Sequence, residues 1–289
     1  MNQSDPISPE SRTQSQFSPG LYIAATPIGN LRDITLRVLD ALHAADRILA
    51  EDTRQTRKLL DAYNINTPLS AYHDHNVAKM VPNILNWLDS GEIIVQVSDA
   101  GTPLISDPGY KLVVAVIEAG HDVTPLPGAS APMAALMAAG LPTDRFTFIG
   151  FLPSKTAARR SALFSLMAIK STLVFFESPN RIAETLSDIQ AVLGDRRGVI
   201  AREISKKYEE FRRGKITELI ESVDDDPPRG EIVLLVSGPN EPELWTPEEV
   251  DRALREKLPE LGAKRASAEI ADQSGWAKRN VYQRAILLS

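Results

Sequence analysis

The segment Glu92–Gly109, EIIVQVSDAGTPLISDPG, decides how this chain is read. An apolar, β-branched run, Ile93-Ile94-Val95-Gln96-Val97, stops at Ser98-Asp99-Ala100-Gly101-Thr102-Pro103. A second turn, Ser106-Asp107-Pro108-Gly109, leads into the amphipathic run Tyr110 to Ala119. This pattern predicts a buried strand, a tight loop of small residues and the start of a helix. Small side chains let a ligand approach backbone N–H and C=O groups closely, and Asp99 adds a carboxylate acceptor. Loops at the carboxyl ends of strands are where open α/β sheets bind ligands. The same residues also fit a plain strand–turn–helix connection in which Gly and Pro only make the turn.

Outward from this segment, strand-like and helix-like runs alternate from Leu21 onward, which predicts a mainly parallel sheet with helices on both faces. Leu21–Ala25, Arg47–Ala50, Leu69–Tyr72 and Asp122–Leu126 read as strands, with Asp33 as the cap of the first helix. A hinge at Pro125-Leu126-Pro127-Gly128 separates this half (20–126) from a second α/β half (127–238). Beyond Gly238 the composition becomes helical and charged. Ala263–Asp272, a Ser274-Gly275 turn and Trp276–Leu288 resemble a helix-turn-helix within a 239–289 extension. A helical hairpin packed on the main body fits those residues equally well.

A length of 289 residues favours two domains, and no apolar run approaches the roughly 20 residues that span a bilayer. The first 19 residues, polar and rich in Ser, Gln and Pro, lack the features of a secretory signal and read as a disordered tail. The absence of cysteine excludes disulfides, thiolate metal sites and cysteine nucleophiles, and fits a cytoplasmic protein. The formal net charge is −6, yet basic residues cluster at Ser154–Lys170, at Arg196–Lys215 and in the C-terminal tail. Each cluster can be a solvated face. Three of them in an acidic chain point to a polyanionic partner.

Motifs for several chemistries are missing: no G-x-S-x-G, Walker A or G-x-G-x-x-G string occurs. His73 and His75, just past a strand, resemble half of a metal site, but no further ligand pattern accompanies them. A polar loop at a cleft mouth, touching substrate or moving a proton, is the preferred reading. Glu177-Ser178-Pro179-Asn180-Arg181 and Arg202-Glu203-Ile204-Ser205-Lys206-Lys207 also place charge just beyond strands, although a helix cap by Ser178 with Glu177 in a salt bridge fits the first of them equally well. Glu177, Glu203, His73, His75 and Lys206 are therefore candidate proton acceptors.

Eight strings in order, from TPIGNLRDIT through AEDTRQTRKLL, AYHDHN, VSDAGTPLISDPG, LPGASAPMAAL, GLPTDRFTFIGFLP and TLVFFESPNRI to REISKKYEEFRRG, resemble one family. It is the ribosomal RNA small subunit methyltransferase I family, within the tetrapyrrole-methylase-like superfamily. The resemblance covers about 21–238 and extends to a similar helical tail. Two departures are Asn180, where the family commonly has His, and Asp74, where it often has Glu.

The resemblance implies two α/β domains of the tetrapyrrole methylase type, with S-adenosylmethionine in the cleft between them, a helical C-terminal extension and a homodimer. It implies 2′-O-methylation of a cytidine ribose in the decoding region of 16S rRNA, in the small ribosomal subunit, without a metal. Carried over by position, Asp99, Ala100, Gly101, Thr102, Pro103, Ile105 and Ser106 would hold the methionine moiety and ribose, with Pro27 bordering the site. Ser130, Ala131, Phe148, Glu177, Ser178, Ile204, Gly230, Glu231 and Ile232 would line the second half and the adenine. Arg54, Arg57, His73, Arg159, Arg160, Arg181, Arg202 and Lys206 form a candidate RNA track, with Tyr72, Phe151 or Trp276 as stacking partners. The competing readings are a tetrapyrrole C-methyltransferase and a nucleic-acid-binding regulator using the C-terminal helices.

Overall fold

The structure, a computed structural model, describes residues 17–239 and 245–288. Residues 1–16 of the tail expected to be disordered lie outside them. Phe17 and Ser18 are already anchored: the Phe17 ring meets Tyr22 edge-on at 5.4 Å, and the Tyr22 hydroxyl donates to the Ser18 carbonyl.

Five strands, β1 (Gly20–Ala24), β2 (Arg47–Ala50), β3 (Leu69–Ala71), β4 (Ile93–Val97) and β5 (Val123–Leu126), form a wholly parallel sheet in the order β3-β2-β4-β1-β5. The intervening helices are α1 (Leu36–Ala44), α2 (Thr53–Ala62), α3 (Val77–Asp89) and α4 (Tyr110–Glu118). Burial on both faces explains the β-branched strands. Val38, Leu42 and Leu60 pack with Tyr22, Ile48 and Val95 on one face, whereas Ile84, Leu88, Leu112 and Val116 pack with Leu21, Leu49 and Ile94 on the other. β1 therefore leads towards β2 over one face, and β4 leads towards β5 over the opposite face. Their carboxyl ends open the crevice that such a reversal creates. The cap expected at Asp33 is corrected: Asn30 caps a 3-10 turn at Leu31–Asp33, and the Thr35 hydroxyl accepts from the Val38 N–H to start α1.

The second sheet departs from the parallel expectation. β6 (Phe146–Phe151), β7 (Thr172–Glu177), β8 (Arg197–Arg202), β9 (Glu210–Lys215) and β10 (Ile232–Val236) take the order β6-β7-β10-β8-β9. Only β6 and β7 pair in parallel; β10 runs antiparallel to both β7 and β8, and β8 to β9. The crossover β7–α7–β8 skips one place, which the last strand fills from the opposite direction. α5 (Ala131–Ala139), α6 (Thr156–Ser165), α7 (Ile182–Leu193) and α8 (Ile216–Asp225) accompany this sheet. β10, IVLLV, is buried at every position, as a central strand requires.

The two sheets belong to one compact unit, Met1–Ser237, and a second unit spans Gly238–Ser289. In the latter, α9 (Pro247–Ser274) opens with a capping box between Thr246 and Glu249. It breaks at Gly262, whose φ of 67° and ψ of 163° are not helical, and ends at Gly275 in the left-handed region. α10 (Lys278–Leu288) follows, and Val250, Leu254, Ile270, Val281 and Ala285 form this unit's own core. Among the described residues no helix is long and apolar enough to cross a membrane.

Candidate active site

A cavity of about 410 Å³ lies where the carboxyl edge of the first sheet faces the second. Asp99, Ala100, Gly101, Thr102, Ile105, Ser106 and Asp107 form one wall, joined by Ile28 from the loop after β1. Ser130, Ala131 and Pro132 at the start of α5, Glu177, Ser178 and Pro179 after β7, Ile204 after β8 and Gly230–Val233 at β10 form the other, with Phe151 and Phe176. This volume falls in the range of small-molecule sites.

Backbone hydrogen bonds hold the Ser98–Thr102 loop from two sides. Thr26 N–H donates to the Gly101 carbonyl at 2.8 Å and Gly101 N–H returns the bond to Thr26 at 3.0 Å. The Thr26 hydroxyl donates to the Ser98 carbonyl, and the Thr102 hydroxyl donates to Ala129 in the segment linking the halves. Gly101 has φ 79°, and a Cβ there would stand 3.2 Å from the Ile28 side chain. Four of the non-glycine residues at positive φ, Leu104, Ser106, Glu203 and Ser205, sit in the two loops that face each other here. Backbone strain of this kind persists only where surrounding contacts over-determine it.

The facing loop after β8 is held by charge. Glu203 accepts from Lys206 Nζ at 2.9 Å and from the Glu231 N–H at 3.0 Å, and Lys206 also reaches Glu231. Burial alone would raise the Glu203 carboxyl, but the Glu231 N–H and the Lys206 ammonium outweigh it and hold the group below the ordinary range. Burial likewise opposes the Lys206 charge, and its two carboxylate partners reverse the sign and raise it. Lys206 is therefore a protonated structural cation and Glu203 its paired anion. Ser205 donates to Asp33 across the cleft.

Packing corrects several of the placements expected from the sequence. Glu177 borders the cavity, yet its carboxylate is turned inward, accepting from the Ser178 N–H and the Thr185 hydroxyl, with Arg181 at 3.5 Å. Pro27, Pro103 and Phe148 lie beside lining residues rather than on the wall; Phe148 meets Phe176 edge-on at 5.2 Å. His73 and His75 follow β3 in a turn, 6.0 Å between rings, outside the cavity lining. Tyr72 is only 2% exposed and has no face for base stacking, and the Trp276 indole donates to the Trp245 carbonyl within the second unit.

The RNA track contracts. Arg159 is 1% exposed and bound to the buried Asp188 at 2.6 Å, so no phosphate reaches it. Arg160 bonds the other Asp188 oxygen, Arg181 caps the Leu152 carbonyl, and Arg202 holds Glu210. Arg196 and Arg212, from the same basic stretch, serve backbone carbonyls and Asp226. Arg54 is exposed, on an Asp52 that also caps α2. An exposed pair of this kind holds neither partner firmly.

Ile28, Asp107, Pro132, Phe151, Phe176, Pro179 and Val233 also line the wall, and no cofactor motif in the sequence singles them out. Asp107 stands out chemically. Burial, the Glu51 charge and the Asp99 charge push its carboxyl up to about 6, against a hydrogen bond from Ser98. Glu51, raised by burial and then by Asp99 and Asp74, belongs to the same acidic edge. Among the described residues, no group of three or more His, Cys, Asp or Glu side chains is arranged to hold a metal ion.

A parallel sheet facing a mixed one across a ligand-sized cleft defines an architecture shared with known methyltransferases. The family model Tetrapyrrole (Corrin/Porphyrin) Methylases matches residues 20–220. Cobalt precorrin-4 methyltransferase, a cobalamin biosynthetic enzyme, superposes with a TM-score of 0.58 at 21% identity, over 75% of this chain and 94% of its own. Diphthine synthase does so at 0.60 and 14%, over 75% and 89%; at these identities the likeness is one of fold. The tail, residues 246–289, matches the RsmI C-terminal HTH domain. Ribosomal RNA small subunit methyltransferase I of Mesorhizobium japonicum is 47% identical over 274 residues, 94% of this chain and 93% of that protein. Its counterpart in Escherichia coli O157:H7 is 47% identical over 269 residues, 92% and 94%. The chain belongs to the ribosomal RNA small subunit methyltransferase I family.

Proposed function

We propose that this chain transfers a methyl group from S-adenosylmethionine to the 2′-oxygen of a cytidine ribose in the decoding region of 16S rRNA. The observation that carries the reading is the cavity itself, walled by the SDAGTP loop in a chain whose relatives are named ribosomal RNA small subunit methyltransferase I. The residues present suit the donor. Apolar Ile204, Ile232, Val233, Phe151 and Phe176 offer a surface for a base, and small residues expose backbone groups. Asp99 and Glu231 supply negative charge for a sulfonium and an ammonium. Asp99, Ala100, Gly101, Thr102 and Ser106 would hold the methionine and ribose; Ser130, Ala131, Ile204 and Ile232 would hold the adenine.

The sulfonium supplies an activated methyl, so the protein needs no covalent nucleophile. Its residues must align the acceptor oxygen with the methyl, an effect worth up to roughly 7–11 kcal/mol. They must also exclude water and receive the hydroxyl proton. The exposed Arg54 and the half-buried Arg57 would contact phosphates, and a homodimer acting on small-subunit particles in the cytoplasm completes the reading.

Purified protein with methyl-labelled donor is expected to label 30S particles lacking the mark, and nuclease digestion to release 2′-O-methylcytidine. Label on a uroporphyrinoid or precorrin instead, with none on RNA, would replace this reading with the tetrapyrrole one. Specific duplex binding by the tail without methyl transfer would favour a regulator.

A further inference from the structure

We propose that Asp107 is the residue that receives the proton of the acceptor hydroxyl. This rests on the ribose-methylation reading above and adds to it a catalytic residue that the family strings do not single out.

The geometry begins with the turn that presents Asp107. Leu104 at φ 71°, Ser106 at φ 65° and Gly109 at φ 142° bracket it, so Asp107 is held at the cavity wall by a backbone most residues avoid. Beneath the turn, Gln96, 3% exposed, donates its Nε2 to the Pro108 carbonyl at 3.0 Å. A side chain on Gly109 would collide with that amide. A central strand thus fixes the position of one carboxylate from below.

The groups facing Asp107 set its charge. They are the Ser98 hydroxyl from the end of β4, Asp99 from the same loop and Glu51 from the end of β2; Glu51 in turn feels Asp74 and His73 after β3. Among the described residues no cation pairs with Asp107. Among the other carboxylates at the cavity, Glu177 accepts from Ser178 and Thr185, Glu203 and Glu231 are paired with the Lys206 ammonium, and Asp99 accepts from the Asp52 N–H. A carboxyl raised towards neutrality is a stronger base than an ordinary one and is still ionised at pH 7. In the step, the ribose oxygen bonds the methyl carbon as the S–CH₃ bond breaks, and that electron pair stays on sulfur. The O–H proton moves to an Asp107 carboxylate oxygen and then to water.

Full-length Asp107→Asn and Asp107→Glu test this on 30S particles lacking the mark, in single turnovers at saturating S-adenosylmethionine. Asp107→Asn is expected to slow methyl transfer by about 10²–10⁴-fold. Donor affinity by calorimetry should stay within about threefold, and a cooperative melt should be retained. The unsubstituted rate should rise about tenfold per pH unit below the carboxyl's midpoint and then level off. The Asn variant should be flat, and Asp107→Glu should restore part of the rate and the sloped profile. Without any ligand, a carbon-13 carboxyl titration should place Asp107 near 6. An Asn variant with the unsubstituted rate and pH profile would overturn the assignment. So would a loss explained entirely by weaker donor binding. If the unsubstituted protein labels no ribose at all, the methylation reading fails first and this one with it.

Discussion

Thr26 and Gly101 exchange backbone hydrogen bonds in both directions, at 2.8 and 3.0 Å, so the loops leaving β1 and β4 move as one piece. These are the loops at which the first sheet reverses direction, and one of them carries the Ala100–Thr102 wall of the cavity. The bridge needs the left-handed backbone of Gly101, and a Cβ there would also press on Ile28 at 3.2 Å.

Gly101→Ala is therefore expected to cost about 1–2 kcal/mol of stability through its φ. The same strain, transmitted through the bridge, should weaken S-adenosylmethionine binding about tenfold. Calorimetric titration beside a denaturant melt separates the two effects. Unchanged affinity would show that the bridge does not shape the site.

Arg159 and Arg160 are neighbours with opposite fates. Removing the Arg159 guanidinium leaves the buried Asp188 with Arg160 alone, so Arg159→Met should cost about 3 kcal/mol in urea denaturation. Arg160 is half exposed, and Arg160→Met should cost under about 1 kcal/mol. Binding to 30S particles, measured where both variants remain folded, should not change for Arg159→Met. A weakened complex there would return Arg159 to the RNA track.

The Glu203 carboxyl is held below its ordinary value of 4.5, so its contribution to folding is present above that pH and lost as pH falls through the lowered value. Glu203→Gln should consequently be less stable than the parent by about 1 kcal/mol between pH 5 and 8. The gap should narrow below pH 4.5. Melts across this range measure it, and a gap independent of pH would sink the ion-pair account.

Asp107 has the opposite sign. Between its ordinary value of 3.8 and about 6 the folded chain binds more protons than the unfolded one, so stability falls as pH rises through this window. Asp107→Asn should melt about 2–4 °C higher than the parent at pH 8, as roughly 1 kcal/mol would give. The two should converge at pH 4. A gain in stability alongside a loss of rate would mark a carboxylate kept for function.

Periodicity and turn chemistry are enough to place most elements, because each is a local property. Arg47–Ala50 is a strand as its residues predict, and β4 and α4 flank their loop as expected. Gly275 ends α9 as the turn glycine of the tail. The first cap lies two residues from the expected Asp33, since Asp33, Thr35 and Asn30 are all good caps and only the backbone path selects among them. Strand direction in the second half is not legible either. A β8–β9 hairpin and a last strand that inserts between β7 and β8 leave no periodic trace in the chain.

The same division runs through the site. The SDAGTP loop is legible because its chemistry lies in small residues and backbone groups, which sequence displays directly. The roles of charged residues are not. Arg159 and Arg54 look alike on paper, yet one is sealed against Asp188 and the other points into water. Asp107 reads as an ordinary turn residue, and only its burial and the nearness of Glu51, Ser98 and Asp99 set its charge. Sequence by itself determined the α/β class, the family and one wall of the cleft. Tertiary structure decided which carboxylates are paired with cations and which one is raised towards neutrality, because charge state depends on neighbours that lie far apart along the chain.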